Sequence, residues 1–431
     1  MRSAKALLLL GAILVGVVGF LTATPPVLAA SKERVLHNFG KGKDGVWPYA
    51  GLIFDKTGKL YGTTTSGGAY GVGTVFQLTP NSNHQWTERI LHSFQNNGKD
   101  GYWPFGGLIF DANGNLYGTT TKGGKSGYGT VFRLTPGAHH NWTEKVLHNF
   151  AGGNDGSKPY AGMTFDAAGN LYGTTYEGGG TGCNGLGCGT VFLLPPTGAL
   201  EVLHSFQDNG SDGTNPFAGV IVASAGNLYG TTVYGPTTTN FVGAGIVFEL
   251  SPRANGRWTE NVLYTFCSAF ECADGNEPYA SLIFDAAGTL YGTTIYGGAT
   301  GFDGNVFQLT PGATGQWTES VLYDFCASRY NCNDGIYPYS GMVFDVSGNL
   351  YGTTYAGTTS GSECDYDGCG IVFELVPGGN GTWTEKVLYS FHGEDGGLPY
   401  AGLIFDATGN LYGTTNGGGA YGNGTVFEVS P

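Results

Sequence analysis

Residues 115–120 read NLYGTT, and the same hexapeptide recurs as KLYGTT (59–64), TLYGTT (289–294) and NLYGTT (170–175, 227–232, 349–354 and 410–415). The seven copies start 55 to 62 residues apart. A catalytic centre needs one set of residues, so seven copies point first to architecture. Around the second copy the full unit is PFGGLIFD (104–111), a turn ANGN, LYGTTTKGG, GTVFRLTP (129–136) and WTEKVLHNF (142–150). Each piece is short, rich in β-branched and aromatic residues, and bounded by Gly, Pro, Asn or Asp. Four strands per unit follow, named A to D in that order. The D-x-x-G turn joins A to B as a hairpin. Strand A carries small Ala and Gly beside Leu, Ile and Phe, which suits crowding near a central axis. The glycine inside LYGTT predicts the close approach of a neighbouring backbone or aromatic ring.

Seven four-stranded units predict an all-β fold, a seven-bladed β-propeller. The chain ends carry a further signal. ERVLHNF (33–39) is a strand D that precedes any A, B or C, whereas the chain ends on PYAGLIFD (399–406), NLYGTT and GTVFEV (424–429), without a D. The first strand is therefore expected to complete the last blade and close the ring. A solenoid would gain nothing from this permuted cut.

Composition agrees. The 431 residues include 78 Gly and 52 Phe or Tyr, with 12% charged. Arg2 and Lys5 precede an apolar run from Ala6 to Leu21 and a small-residue stretch ending in Ala29-Ala30. Residues 1–30 thus read as a signal peptide cleaved near Ala29 or Ala30, and residues 31–431 as the single propeller domain. Residues 1–30 hold two of the 19 basic residues and no acidic one, which leaves 17 basic against 33 acidic, a net −16. Such a field disfavours nucleic acid and anionic membranes. The expectation is a secreted or periplasmic monomer, not membrane-bound after cleavage, whose partner is an extracellular glycan or protein.

The eight cysteines form four close pairs: Cys183 with Cys188, Cys267 with Cys272, Cys326 with Cys332, and Cys364 with Cys369. In an exported chain these predict four local disulfides. Spacings of four or five intervening residues, with no His inside, argue against zinc.

F-D-x-x-G-N-L-Y-G-T-T followed by G-T-V-F-x-L-T-P resembles the GloVer-type tandem repeat of bacterial choice-of-anchor surface proteins, across residues 33–431. Strands A and B are also similar, more loosely, to NHL-type propeller blades. The resemblance implies an exported protein whose biochemical role is open. Members of that family often end in an anchoring tail. This chain stops at Pro431 directly after strand C, which shifts the expectation from surface anchoring to release or periplasmic residence.

Propeller ligands usually meet the face built from D-to-A and B-to-C loops. Every D-to-A loop carries Asp-Gly before an X-Pro-aromatic, as in DGVWPY (44–49) and DGYWPF (100–105). The aspartates are read as capping local backbone N–H groups, and a ring of metal-binding carboxylates is the alternative. No EF-hand spacing is present, so calcium is possible but not indicated, and no cofactor or metal is assigned. The residue before Pro varies: Trp47, Trp103, Lys158, Asn215, Glu277, Tyr337 and Leu398. Trp47 and Trp103 are the expected centre of a neutral-glycan site, with Tyr337, Asn215 and Glu277 as secondary contacts. The other five tryptophans begin strand D and read as wedges between blades. Interchange of His37, His92, His148 and His204 with Tyr264, Tyr323 and Tyr389 at one strand D position argues packing. No catalytic motif emerges. A lyase or glycosidase using two of Glu177, Glu271, Glu277, Asp303, Glu363, Asp365 and Asp367 is the alternative, as is a purely structural envelope protein.

Overall fold

The computed structural model describes residues 31–83, 85–236, 244–328, 332–357, 364 and 368–431. The predicted signal peptide and the carboxylates Glu363, Asp365 and Asp367 lie outside these residues. Each repeat forms an antiparallel sheet of order A-B-C-D, as in Ile109–Phe110, Leu116–Thr120, Thr130–Pro136 and Trp142–Asn149. There are seven such sheets, numbered here as blades 1 to 7 in the order of their LYGTT strands. Blade 7 takes its D strand from the other end of the chain. Lys32–Asn38 pairs antiparallel with Thr425–Ser430, placing Glu33 opposite Val429 and Asn38 opposite Thr425. The ring is closed as the permuted order predicts.

Each letter of LYGTT has a task. The leucine is buried in the seam with the preceding blade. The tyrosine hydroxyl donates to the aspartate of the A–B turn, as Tyr61 does to Asp55 at 2.9 Å. Blade 4 has Ala223 at that turn position, and Tyr229 donates to Glu249 instead. The glycine admits an aromatic ring: a Cβ on Gly292 would lie 2.5 Å from Cζ of Phe307, and the other six blades repeat the contact. The first threonine bridges to the next blade, Thr119 to the Ala161 carbonyl at 2.8 Å and, across the closure, Thr414 to the Ala50 carbonyl at 3.1 Å. The second donates to a carbonyl two residues on, as Thr64 does to Ser66.

Strand A is shorter than the sequence suggests. Its ladder covers two residues, while the preceding Tyr49, Ala50 and Gly51 and their equivalents line the bore. Those residues turn to the axis, where no further strand stands to pair with. Strand D carries a bulge in every blade, between Val131 and Phe132 of its partner in blade 2. The unpaired extra residue is a leucine, and Leu36, Leu91, Leu263 and Leu388 are thereby buried in the seams. A bulge re-aims side chains in this way.

The core is divided into seven seam clusters, one between each pair of neighbouring blades. Five seams hold a strand D tryptophan against the LYGTT tyrosine of the preceding blade, at 6.2 to 6.4 Å between ring centroids. The wedge reading of these tryptophans matches this geometry. Among the described residues helix is confined to four three-residue 3-10 turns, and no helix is long and apolar enough to cross a membrane.

Candidate functional site

The bore is stoppered on the face of the D-to-A and B-to-C loops. The aromatic after each X-Pro points to the axis, and Tyr49, Phe105, Tyr160, Phe217, Tyr279, Tyr339 and Tyr400 form a closed circuit. Successive ring centroids lie 4.6 to 5.5 Å apart. Phe217 also meets Tyr400 across the ring at 6.4 Å. Burial drives the Tyr400 hydroxyl far above its ordinary value, with the neighbouring tyrosines adding to the effect. A ligand on this face therefore meets a surface rather than a channel mouth. The sequence shows these seven letters plainly; their convergence is legible only once the ring is closed.

All seven variable residues before proline adopt a left-handed backbone, with φ between 54° and 59°. Each N–H donates to a carbonyl in the preceding blade's B-to-C loop, Trp47 to Asn423 and Trp103 to Val72, both at 3.0 Å. Each carbonyl accepts from its own blade just beyond LYGTT, Trp47 from Thr65 at 3.1 Å. The position thus ties two blades through its backbone in all seven copies, and at Asn215 the side chain adds a bond to the preceding blade. A non-glycine residue there carries a conformational cost of about 1 kcal/mol, and the side chain is free to vary because it does not make the tie.

The side chains divide by sector. Trp47 and Trp103 are 46% and 42% exposed. Beside them stand three tyrosines of the B-to-C loops, Tyr421, Tyr70 and Tyr128, exposed by 49%, 57% and 45%. Because Trp47 bonds the loop of Tyr421, Trp103 the loop of Tyr70, and Lys158 the carbonyl of Tyr128 itself, the rim order is Tyr421, Trp47, Tyr70, Trp103, Tyr128. Five exposed aromatics follow one another over blades 7, 1 and 2. Sequence reasoning missed the tyrosines, whose signal was a Tyr three residues (Tyr70, Tyr421) or one residue (Tyr128) before the glycine that opens strand C. Asn215, Glu277 and Tyr337 belong to blades 4 to 6 and are half-buried. The structure does not bring them beside the tryptophans: Asn215 donates to the Tyr176 carbonyl, burial raises the Glu277 carboxyl, and Tyr337 packs on Tyr296.

The four disulfides form with the expected local pairing. Cys183 is joined to Cys188, Cys267 to Cys272, Cys326 to Cys332 and Cys364 to Cys369. The first and last of these bridges close B-to-C loops, of blades 3 and 6, and the other two close D-to-A loops between blades 4 and 6. None of the eight cysteines touches the sector of Trp47 and Trp103. Cys188, Cys272, Cys326 and Cys369 are buried, Cys188 and Cys369 within the seams to the next blade, which makes them staples of structure rather than ligand contacts. Cys332 packs beside Cys326, Ile336 and Ala356 in a small satellite cluster. The aromatic arc and the disulfides thus occupy different sectors of one face, and two further exposed aromatics, Phe270 within the Cys267–Cys272 loop and Phe302 in the B-to-C loop of blade 5, stand in the disulfide sector.

The repeated aspartates serve the seams. Asp44 accepts from His37 Nε2 at 3.0 Å and from the Gly40 and Gly45 amides; Asp274 accepts from the Tyr264 hydroxyl at 2.8 Å and the Ser268 amide. His and Tyr interchange because both rings reach the same carboxylate. The capping reading of the aspartates describes this geometry. In six seams a strand D glutamate from the next blade faces this aspartate. His37, Asp44 and Glu88, and likewise His204, Asp212 and Glu260, bring their ligand atoms within 4.8 Å of one another, a donor set that could hold a divalent cation.

Burial first, and the nearby aspartates second, push Glu33, Glu144, Glu319 and Glu385 up to about 7. Glu88 and Glu260 move the same way. A carboxyl raised in the folded state keeps its proton longer than in the unfolded chain, so stability falls as pH climbs from about 4.5 through 7. Asp55, Asp111, Asp166 and Asp406 are held low despite burial by their turn hydrogen bonds, so stability also falls in more acidic solution. The melting temperature should therefore peak near pH 4.5–5 and decline towards pH 8, and Glu144→Gln should flatten that decline. A profile flat from pH 5 to 8, identical in the variant, would show that these carboxyls do not titrate as a burial effect.

The non-repeat carboxylates show local ties. Glu177 pairs with Lys158 at 2.6 Å and Asp303 accepts from the Thr300 hydroxyl.

The profile described as the Gloeobacter/Verrucomicrobia repeat matches residues 26–187, 184–363 and 327–431. No curated protein matches the sequence. Among solved structures, the chain is similar to PorZ, a surface component of the type-IX secretion system of Porphyromonas gingivalis. Identity is 14%, the TM-score is 0.43, and the match covers 84% of this chain and 44% of PorZ. It is also similar to a luciferin-regenerating enzyme, at 13% identity and a TM-score of 0.43, over 78% of this chain and 94% of that one.

Proposed function

The chain belongs to the Gloeobacter/Verrucomicrobia repeat family, and we propose that it works as an exported, non-enzymatic binding propeller that holds a neutral glycan along the rim of blades 7, 1 and 2. The observation that carries this reading is the arc of five exposed aromatics. Five half-exposed aromatics in succession along one rim suit a partner long enough to span them. Flat aromatic faces in series suit the apolar faces of successive sugar rings, and their backbones are already fixed by the ties between blades. The net negative charge favours an uncharged polymer over a polyanionic one. The disulfides fit an oxidising compartment outside the cytoplasm.

Binding of neutral and acidic oligosaccharides to an immobilised array tests it. The wild-type protein should retain neutral chains of four or more sugars. Trp47→Ala with Trp103→Ala should lose that binding at least a hundredfold while melting within a few degrees of wild type, since both residues are more than two-fifths exposed and neither belongs to a seam cluster. A double variant that folds and binds normally would place the site elsewhere, and one that unfolds would make these rings packing residues.

A further inference from the structure

The seam between blades 2 and 3 departs from the repeat at three places at once. Strand D of blade 3 is shortened to Glu201–Ser205, so Gly198 stands where five other blades carry the wedge tryptophan, and Leu200 stands where the others carry the buried glutamate. Tyr117, which would face that tryptophan, instead lines a hollow, with its ring edge-on to Phe165 and its hydroxyl beside Asp111 and Arg133. The buried hydrophobic cluster here has six members, against eight or nine in the other seams. The absent wedge leaves a cleft of about 730 Å³ on the face of the A–B turns, opposite the aromatic arc. Its apolar walls include Tyr117, Leu147, Phe165 and Leu194.

The third departure is electrostatic. Arg133 of strand C and Lys145 of strand D stand directly opposite each other in the ladder, and both line the cleft. At the same place blade 6 has the pair Glu374 and Lys386 and blade 7 has Glu428 and Arg34, each a salt bridge; blade 5 has Gln308 and Ser320. Like charges directly opposite are unfavourable in a ladder. Here neither cation has a salt bridge among the described residues, and the Arg133 Nε is buried without a hydrogen-bond partner. Asp111 and Asp166 also border the cleft, but each carboxylate is committed to its turn: Asp111 to the amides of Asn113 and Asn115, and Asp166 to those of Ala168 and Asn170. A hollow shaped by a missing indole, with two cations lacking ion pairs on its wall, selects for one kind of guest.

We propose that this cleft binds a small planar aromatic carboxylate, its ring seated between Tyr117 and the blade 3 wall and its carboxylate on Arg133 and Lys145. The volume lies within the range of small-molecule pockets, and a few convergent polar groups on an apolar lining are their usual composition. A bidentate or charge-assisted contact to the guanidinium would satisfy the buried Nε.

Titration calorimetry with indole-3-acetate as the probe, and with neutral indole and cationic tryptamine as controls, tests the proposal on the whole exported chain. Indole-3-acetate should bind with a stoichiometry of one, and at least tenfold more tightly than indole or tryptamine. Arg133→Gln and Lys145→Asn import the residues found at these places in blades 1 and 4, so the fold has precedent for both. Each should weaken indole-3-acetate at least tenfold and leave the weak binding of indole unchanged. Gly198→Trp should abolish binding of all three; its melting curve reports whether the blade still folds. Equal affinity for indole and indole-3-acetate, insensitivity to both charge variants, or no binding at millimolar probe would each overturn the proposal.

Discussion

Deleting residues 33–39 should cost this protein about 5 kcal/mol or more, far beyond what the loss of seven residues from a chain end usually costs. Leu36 and Phe39 are buried in the seam between blades 7 and 1, and removing two such side chains from the core forfeits roughly 3–6 kcal/mol before any cavity is counted. The deletion also strips Thr425–Ser430 of its partner and leaves a sheet edge exposed. The Asn38 side chain, which accepts from the Ala420 amide, goes with it. Thermal and denaturant melts measure the loss, and a synthetic peptide of residues 31–40 added to the truncated protein should restore much of it by pairing with the vacant edge. An unchanged melting temperature would mean that the first strand is not part of the ring's cohesion.

Gly292→Val should destabilise by about 3 kcal/mol or more, against the local preferences of the chain. Gly292 lies within strand Leu290–Thr294, where valine has the higher β propensity and glycine carries an entropic cost, together worth about 1–2 kcal/mol in valine's favour. The packing term has the opposite sign and wins. A Cβ there would sit 2.5 Å from Phe307 Cζ and 2.9 Å from Leu282 Cδ2, both in fully buried side chains of the seam. Over-packing of a filled core by a branched side chain costs more than propensity returns. Phe307→Leu, which withdraws the ring, should recover part of the loss, so that the double variant is more stable than the sum of the two changes. Additive losses would place the glycine's role in the backbone instead.

The ring, its clasp and its disulfides were legible in the sequence because repetition multiplies a weak local signal and close cysteines have few other partners. One D-x-x-G-N-L-Y-G-T-T is an ambiguous hairpin; seven, with strand D displaced to the front, leave few alternatives. The glycine of LYGTT was legible for the same reason. The left-handed backbone at Trp47 and its six equivalents was not. Sequence marks positive φ only when glycine fills it, and here the loop bonds hold seven other residues in that conformation. The aromatic stopper was hidden because Tyr49 and Tyr400 are distant in sequence and meet only after closure. Exposure of Tyr70, Tyr128 and Tyr421 depends on how far the B-to-C loops rise, which composition does not encode. Asn215, Glu277 and Tyr337 share the rim with the tryptophans but stand in other blades, because equivalent positions in a seven-fold ring point to different sectors. Gly198 was visible as a gap in the wedge series, but a gap acquires meaning only when its neighbours are seen to enclose it.

The most direct test of the glycan reading is a crystal structure of the protein soaked with a neutral tetrasaccharide that the array shows to bind. Density for sugar rings should lie over Trp47, Tyr70 and Trp103, with faces parallel to the aromatic planes and none entering the stoppered bore. Density confined to blades 3 to 6, or a saturating soak that leaves the arc bare, would contradict it.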